Sequence, residues 1–411
     1  MKKAMKLLPL AFLLVIAMFA LSACNSDEPT TPTPAAVEET TPAQEEAPAV
    51  EETPAAEEAA PEEVAQEDDT AEEAPATTAS ADHIQVALIA HSPESILDDG
   101  SFNAGAWVGI GDFLNTHGLG DSHRQFFQPH EGSDIARIDM INDAAGAGAN
   151  VMVLPGFHFQ ASLYEAQDLF PDVTFILLDA SPQVDGNVRI ENNLVAIHYA
   201  EEQSGFLAGY AAVMEGHRSL GFMGGHAVPA VVRFGHGFIQ GAEHAAHSLG
   251  LDAGDVSIRY VYLGGFAPDP AHVTTASAWF TTGTEVIFAA AGGAGGSVIA
   301  GAEATGGLMI GVDVDQSHES DVVLTSAVKG LATSVNYMLN ARLENRFPGG
   351  REVMFNAAND GVGLPMGTSR FSNFSQADYD AIFAQLASGA VSVSSSLEMG
   401  DIVTTLVTVE Q

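Results

Sequence analysis

The sequence predicts an α/β protein of two doubly wound, parallel-sheet lobes with a ligand cleft between them. The first observation behind this is a repeated phrase: a short apolar run, a turn rich in Gly, Asp and small polar residues, then an amphipathic stretch. Strands that are apolar almost throughout are covered on both faces, the condition of a parallel sheet wrapped by helices. Secondly, the phrase runs through the chain twice, before and after the long apolar-periodic stretch Glu201–Glu215. The third observation is size, because about 330 residues beyond the amino-terminal region exceed what one hydrophobic core usually organises.

The amino terminus precedes the fold. Lys2, Lys3 and Lys6 lead into the apolar segment Leu7–Leu21, which runs into Leu21-Ser22-Ala23-Cys24. A basic start, a short apolar core and small residues before a cleavage point describe a secretory signal over residues 1–23, too short for a comfortable membrane span. Cys24 is the only cysteine, so neither a disulfide framework nor a cysteine metal site is available. The Leu-Ser-Ala-Cys run resembles a bacterial lipobox, which would make Cys24 a lipidated amino terminus and the membrane an anchorage only. Asn25–Ala81 holds 17 acidic residues and no Lys, Arg or aromatic residue. Such a segment buries too little apolar surface to offset its ordering entropy, so residues 24–81 are expected to form a lipidated cysteine and a disordered tether.

From Asp82 onward, 37 acids against 11 bases leave a formal charge of −26. Nucleic acid and anionic lipid both need a basic footprint, so neither is an expected partner of residues 82–411.

In the first lobe the expected strands are Val86–Ala90, Gln125–Gln128, Val151–Pro155, Thr174–Asp179 and Leu194–His198. Glu201–Glu215 opens the second lobe, whose strands are expected at Leu220–Met223, Ser257–Leu263, Glu285–Ala290, Leu308–Val312 and Val322–Ser326. Helical periodicity predicts Ala104–Leu114, Ser334–Leu343 and Gln376–Leu386, with Gly389 as the stop signal of the last. Lobe 1 is thus expected over about 82–200 plus a returning segment near 330–350, and lobe 2 over about 201–329 plus the carboxyl-terminal part.

The turns after these strands carry the candidate chemistry, because an open α/β sheet binds ligands at the carboxyl ends of its strands. The stretch Asp98-Asp99-Gly100-Ser101-Phe102-Asn103 places a ring, a hydroxyl, an amide and two carboxylates where the first strand hands over to the first helix. Taken alone it is also a capped helix start, with Asp98, Asp99 or Ser101 as N-cap and Phe102 as a hydrophobic staple. Related turns follow later strands: Gly156-Phe157-His158-Phe159, Asp179-Ala180-Ser181, Gly264-Gly265-Phe266, Gly292 to Ser297, and Gly311 to Gln316. The glycine run 292–297 lacks the signature of a phosphate loop, and no G-x-G-x-x-G follows the first strand. It therefore reads as close backbone approach to a neutral ligand or to the facing lobe. Lys329 is the only lysine after the leader, every other base of the body being arginine. A single ammonium suits a hydroxyl shared with a carboxylate better than it suits phosphate. The 14 histidines form no H-E-x-x-H motif and read as surface residues, and no G-x-S-x-G anchors a hydrolase.

These turns, together with further segments, resemble the basic membrane protein family of lipid-anchored substrate-binding proteins, which includes purine nucleoside receptors of bacterial importers. The likeness rests on Ser101-Phe102-Asn103 with Trp107, Ser204-Gly205-Phe206-Leu207-Ala208-Gly209, Gly221-Phe222-Met223-Gly224-Gly225, Arg233-Phe234 with Gly237-Phe238, and Val286-Ile287-Phe288 with Ala290-Ala291-Gly292-Gly293. Gly311 to Gln316, Thr325-Ser326 with Val328-Lys329, and Gly361-Val362-Gly363-Leu364 extend it over residues 84–392. The resemblance implies a type I periplasmic-binding-protein fold that closes on a nucleoside. It implies Phe102 and Phe266 as the aromatic pair on the base, Asp179 as the carboxylate at its polar edge, and Gly292, Asp313 and Lys329 as ribose contacts. Asn103, beside Phe102, belongs to the same expected ligand set. One departure concerns the end of the first strand, where family members usually carry an aspartate. This chain reads His91-Ser92-Pro93-Glu94-Ser95, so either Glu94 substitutes or that contact is lost.

The expectation is a non-enzymatic, lipid-anchored receptor on the extracytoplasmic side that passes a nucleoside, with a purine base foremost, to an ABC permease, without cofactor or metal. The alternatives are a receptor for a sugar or another small solute on the same fold, an enzyme acting on nucleosides, or a sensory or adhesive surface module.

Overall fold

The computed structural model describes residues 80–411. The expected signal peptide, Cys24 and nearly all of the expected tether lie outside the described residues. Among those described, no helix is long and apolar enough to cross a membrane.

The first lobe is built on β1 (Val86–Ile89), α1 (Phe102–Thr116), β2 (Arg124–Phe127), α2 (Asp134–Gly146), β3 (Val151–Pro155), α3 (Gln160–Leu169) and β4 (Thr174–Leu178). A small hairpin of β5 (Gln183–Val184) and β6 (Asn187–Val188) precedes β7 (Leu194–Tyr199). The second lobe follows with α4 (Glu201–Glu215), β8 (Ser219–Gly224), α5 (Pro229–Leu249), β9 (Val256–Tyr262), α6 (Pro270–Thr281), β10 (Val286–Ala290) and α7 (Gly295–Thr305). It continues through β11 (Leu308–Asp313) and β12 (Val323–Lys329). The chain then returns through α8 (Leu331–Leu343) and β13 (Arg351–Phe355), and ends with β14 (Val362–Gly363), α9 (Gln376–Ala387) and β15 (Val407–Glu410).

The first sheet has the order β13-β7-β4-β3-β1-β2 and is parallel throughout. Its strands alternate cleanly between two cores. Leu88, Val153, Ile176 and Ile197 face α1 and α8, while Ile89, Met152, Phe175 and Ala196 face α2 and α3. Both faces being apolar is what the near-continuous runs require. The second sheet has the order β14-β12-β11-β10-β8-β9-β15, parallel apart from the antiparallel β14. Phe222, Phe288 and Ile310 face α4 and α5, and Met223, Ile287 and Met309 face α6 and α7.

Three expectations change. The returning segment does not stop near residue 350, because β13 pairs in register with β7 and completes the first sheet as far as Phe355. β12 runs on past Ser326, so Lys329 ends the strand instead of following it. The glycine run does not approach the facing lobe: the Ala294 amide donates to the Phe266 carbonyl at 2.8 Å, and Gly292 packs against the Phe266 side chain, all within lobe 2.

The chain crosses between the lobes at Ala200, at Gly330 and at Asn356–Gly361, and these crossings are bonded to one another. Ala200 N–H donates to the Phe355 carbonyl at 2.9 Å, and Gly330 N–H to the Gly361 carbonyl at 2.8 Å. This bundle of strand ends brings the carboxyl edges of both sheets to face each other.

Candidate functional site

Asp179 follows β4 and Asp313 ends β11, so both carboxylates stand at carboxyl edges of their sheets, one in each lobe. Each has a positive φ, 61° and 67°. That left-handed conformation costs a non-glycine residue energy, is best tolerated by Asp and Asn, and recurs at ligand sites. Between them lies Lys329 at the end of β12. Its Nζ donates to Asp179 Oδ2 at 2.5 Å and sits 3.5 Å from Asp313 Oδ1 and 3.6 Å from Glu201 Oε1. Ser101 Oγ, from the start of α1, donates to Asp313 Oδ2 at 2.7 Å, and Gln316 Nε2 donates to the Gly100 carbonyl at 2.9 Å. Lys329 on Asp179 and Ser101 on Asp313 therefore tie one lobe directly to the other.

Aromatic rings surround the ammonium. Lys329 Nζ is 4.8 Å from the Phe102 ring centroid and 5.4 Å from those of Tyr199 and Phe234, within reach of cation–π attraction. Behind it, Arg233 at the start of α5 pairs with Glu201 at 2.7 Å. Burial acts to lower Lys329, but Asp179, Asp313 and Glu201 outweigh it and hold the ammonium above its ordinary value. Burial pushes Asp179 and Asp313 upward, only partly offset by Lys329. The same effect raises Glu202, next in the helix, to about 7. Two acceptors in this cluster, Asp179 Oδ1 and Glu201 Oε1, are buried without a hydrogen-bond partner. A buried carboxylate oxygen without a donor is costly, so Asp179 Oδ1 suits a ligand that brings a hydroxyl or N–H donor, while Glu201 Oε1, wholly buried, faces the Lys329 ammonium.

The structure thus brings Phe102, Asp179, Asp313 and Lys329 together. Phe266 and Gly292 lie apart from that cluster, against each other on the second lobe's edge, with His226 edge-on to Phe266 at 5.3 Å. Asn103 does not join: its side-chain amide donates to Ser95 Oγ and the Ile96 carbonyl at 3.0 and 2.9 Å, pinning the loop after β1. The helix cap is also resolved, since Asp99 accepts from the Ser101, Asn103 and Ala104 amides, leaving the Ser101 hydroxyl free for Asp313. Glu94 is exposed, and the residue that follows β1 and the buried Ala90 is His91, stacked on His158. The expectation of surface histidines fails there and at His236, which is buried. A cavity of about 540 Å³ bordered by Gly105, Val108, Asp313, Lys329 and Leu331 reaches the cluster from the side of α1 and α8. Among the described residues no group of three or more His, Cys, Asp or Glu is placed to hold a metal ion.

Sequence reasoning missed Glu201, Tyr199 and the role of Arg233. Glu201 read only as one helical position among many. The available signal was its place in the first turn of a helix that begins at a strand end, with an acid where the helix dipole favours one.

Solved structures share this architecture. A solute-binding protein of an ABC transporter system from Aeropyrum pernix superposes with a TM-score of 0.64 over 77% of this chain and 95% of its own, at 20% identity. Another from Conexibacter woesei gives 0.61 over 76% and 99%, at 23% identity. Among curated proteins, the ABC transporter nucleoside-binding protein BmpA of Lactococcus lactis subsp. cremoris is 28% identical, covering 65% of this chain and 78% of its own length. Basic membrane protein A of Borreliella burgdorferi is 26% identical over 74% of this chain and 87% of its own. The family profile of PnrA-like ABC transporter substrate-binding proteins matches residues 85–393. With that match spanning both lobes and their shared edge, the chain belongs to the Bmp family of PnrA-like ABC transporter substrate-binding proteins.

Proposed function

We propose that this protein is a lipid-anchored receptor that captures a nucleoside outside the cytoplasm, a purine nucleoside foremost, and delivers it to an ABC permease. The observation that carries this is the cluster of Asp179, Asp313 and Lys329 beside the Phe102 ring, with Asp179 Oδ1 buried and unpartnered. A carboxylate accepts from two vicinal hydroxyls or from a base N–H, the ammonium donates to the same hydroxyl oxygens, and the rings stack on a base. The printed name of the Lactococcus lactis relative, a nucleoside-binding protein, supports the same ligand class. The lipid anchor rests on the Leu-Ser-Ala-Cys24 run and the acidic stretch after it.

The test is to purify the protein and identify by mass spectrometry what co-purifies, then to incubate it with inosine and look for free base. A bound nucleoside released intact supports a receptor; a sugar in its place favours the sugar-receptor reading, and hypoxanthine formed in proportion to protein makes it an enzyme. If Phe102 and Phe266 hold opposite faces of the base, replacing either with alanine should weaken nucleoside binding by about 1–3 kcal/mol, and leucine should recover part of that. Calorimetry on variants with an unchanged ligand-free melting profile checks this. Unaltered affinity would return Phe102 to the role of a helix staple.

A further inference from the structure

Two histidines of the first lobe form a pair that the ionic cluster does not use. His91 stands just beyond β1 and His158 in the turn after β3, both at the carboxyl edge that also carries Phe102 and Asp179. Their rings lie parallel, with centroids 4.1 Å apart and planes within 2° of each other, and the Phe157 ring packs on His158 at 3.9 Å. Gly156, in the same turn, lies against the edge of the Phe102 ring. Both imidazoles are half-buried, and among the described residues neither ring is hydrogen-bonded.

Half-buried imidazoles whose nitrogens find no protein partner must turn those nitrogens toward solvent or a ligand, since burying them unpaired would cost stability. Both residues stand at the carboxyl edge of the first sheet, the edge that the second lobe faces through Lys329 on Asp179. Protonation is suppressed as well. Burial first, then the Arg137 guanidinium, lowers His91 to about 4. Burial, His91, Arg137 and His226 lower His158 to about 4, against a small opposite effect of Asp134. His226 belongs to the other lobe, in the turn after β8 where it meets Phe266, so its field on His158 acts across the cleft. At neutral pH the pair is therefore a neutral donor and acceptor surface between the aromatic residues of the two lobes.

We infer that the His91–His158 stack is a specificity determinant that reads the six-position edge of the base through its ring nitrogens. This rests on the nucleoside reading above and adds to it which residues choose the base. A neutral imidazole offers one donor and one acceptor and matches an uncharged heterocycle, whereas a carboxylate in the same place would select for N–H donors alone.

The test titrates inosine and purine riboside, which lacks the six-position oxygen and with it the N1 proton, into wild type, His158→Phe and His91→Gln. Phenylalanine keeps the stack on Phe157 and removes the nitrogens; glutamine keeps a donor and an acceptor without the ring. Wild type is expected to prefer inosine by at least tenfold. His158→Phe should lose most of that preference with little change for purine riboside, and His91→Gln should retain part of it. A preference unchanged in both variants, each melting like wild type without ligand, overturns the assignment while leaving the nucleoside reading in place. Wild type that binds neither compound overturns both.

Discussion

Replacing Lys329 with methionine is expected to destabilise the protein by about 3–5 kcal/mol, the scale seen when one partner of a buried ion pair is removed. The reason lies in what remains. Asp179, Asp313 and Glu201 converge on the Lys329 ammonium, and without it only Arg233 offsets three buried carboxyls. Burial already raises Asp179 and Asp313 in the folded protein, and losing the ammonium raises them further. A carboxyl whose folded value lies above its unfolded one binds more protons when folded, so stability falls as pH rises from the ordinary carboxylate range through the raised value. The variant should therefore come closest to wild type near about pH 4–5 and fall furthest behind near about pH 8. Ligand-free thermal melting at both pH values checks this; an equal deficit at each would mean that the lysine acts by packing and not by charge.

Gly241→Ala is the second change expected to act strongly, at or above the upper end of the 1–3 kcal/mol typical of overpacking. α4 and α5 cross so closely that a methyl group at Gly241 would collide with the Phe206 carbonyl, and one at Gly237 with that of Glu202. In return, Gly205 and Gly209 of α4 admit the Phe234 and Phe238 carbonyls of α5. Backbone cannot move aside as the end of a flexible side chain can. The spacing of glycines four apart on each helix lets the helices touch backbone to backbone, and that contact sets Arg233 and Phe234 against Glu201 and Lys329. Urea unfolding should show the loss in stability, and ligand affinity should fall with it because the Arg233–Glu201 pair shifts. A variant as stable as wild type would show that the helices can separate at no cost.

The strands of both sheets were legible because a parallel strand covered on both faces is apolar at nearly every position, as in Val151–Pro155 and Val286–Ala290. β13, β14 and β15 were not, since an edge strand needs only one partner, tolerates charge and can be as short as the two residues Val362–Gly363. Arg351 and Glu352 begin β13 and Glu410 ends β15. Lys329 stood out by composition alone, as a lysine in a body that otherwise uses arginine. The left-handed backbone of Asp179 and Asp313 left no trace in the sequence. Neither did the stack of His91 on His158, because its rings come from the ends of different strands and meet only when β1 and β3 pair.

We propose Asp179, Asp313 and Lys329 as the place where a ribose and its base are held, and the most direct measurement is a calorimetric titration of inosine and 2′-deoxyinosine into wild type and Asp313→Asn. A deoxynucleoside leaves a carboxylate oxygen unpaired in a closed cleft, which costs about 1–3 kcal/mol. Wild type should therefore bind inosine more tightly by that amount, and Asp313→Asn should bind inosine less well with the preference flattened. Equal binding of both nucleosides by the wild-type protein would contradict the assignment of this cluster to the ribose.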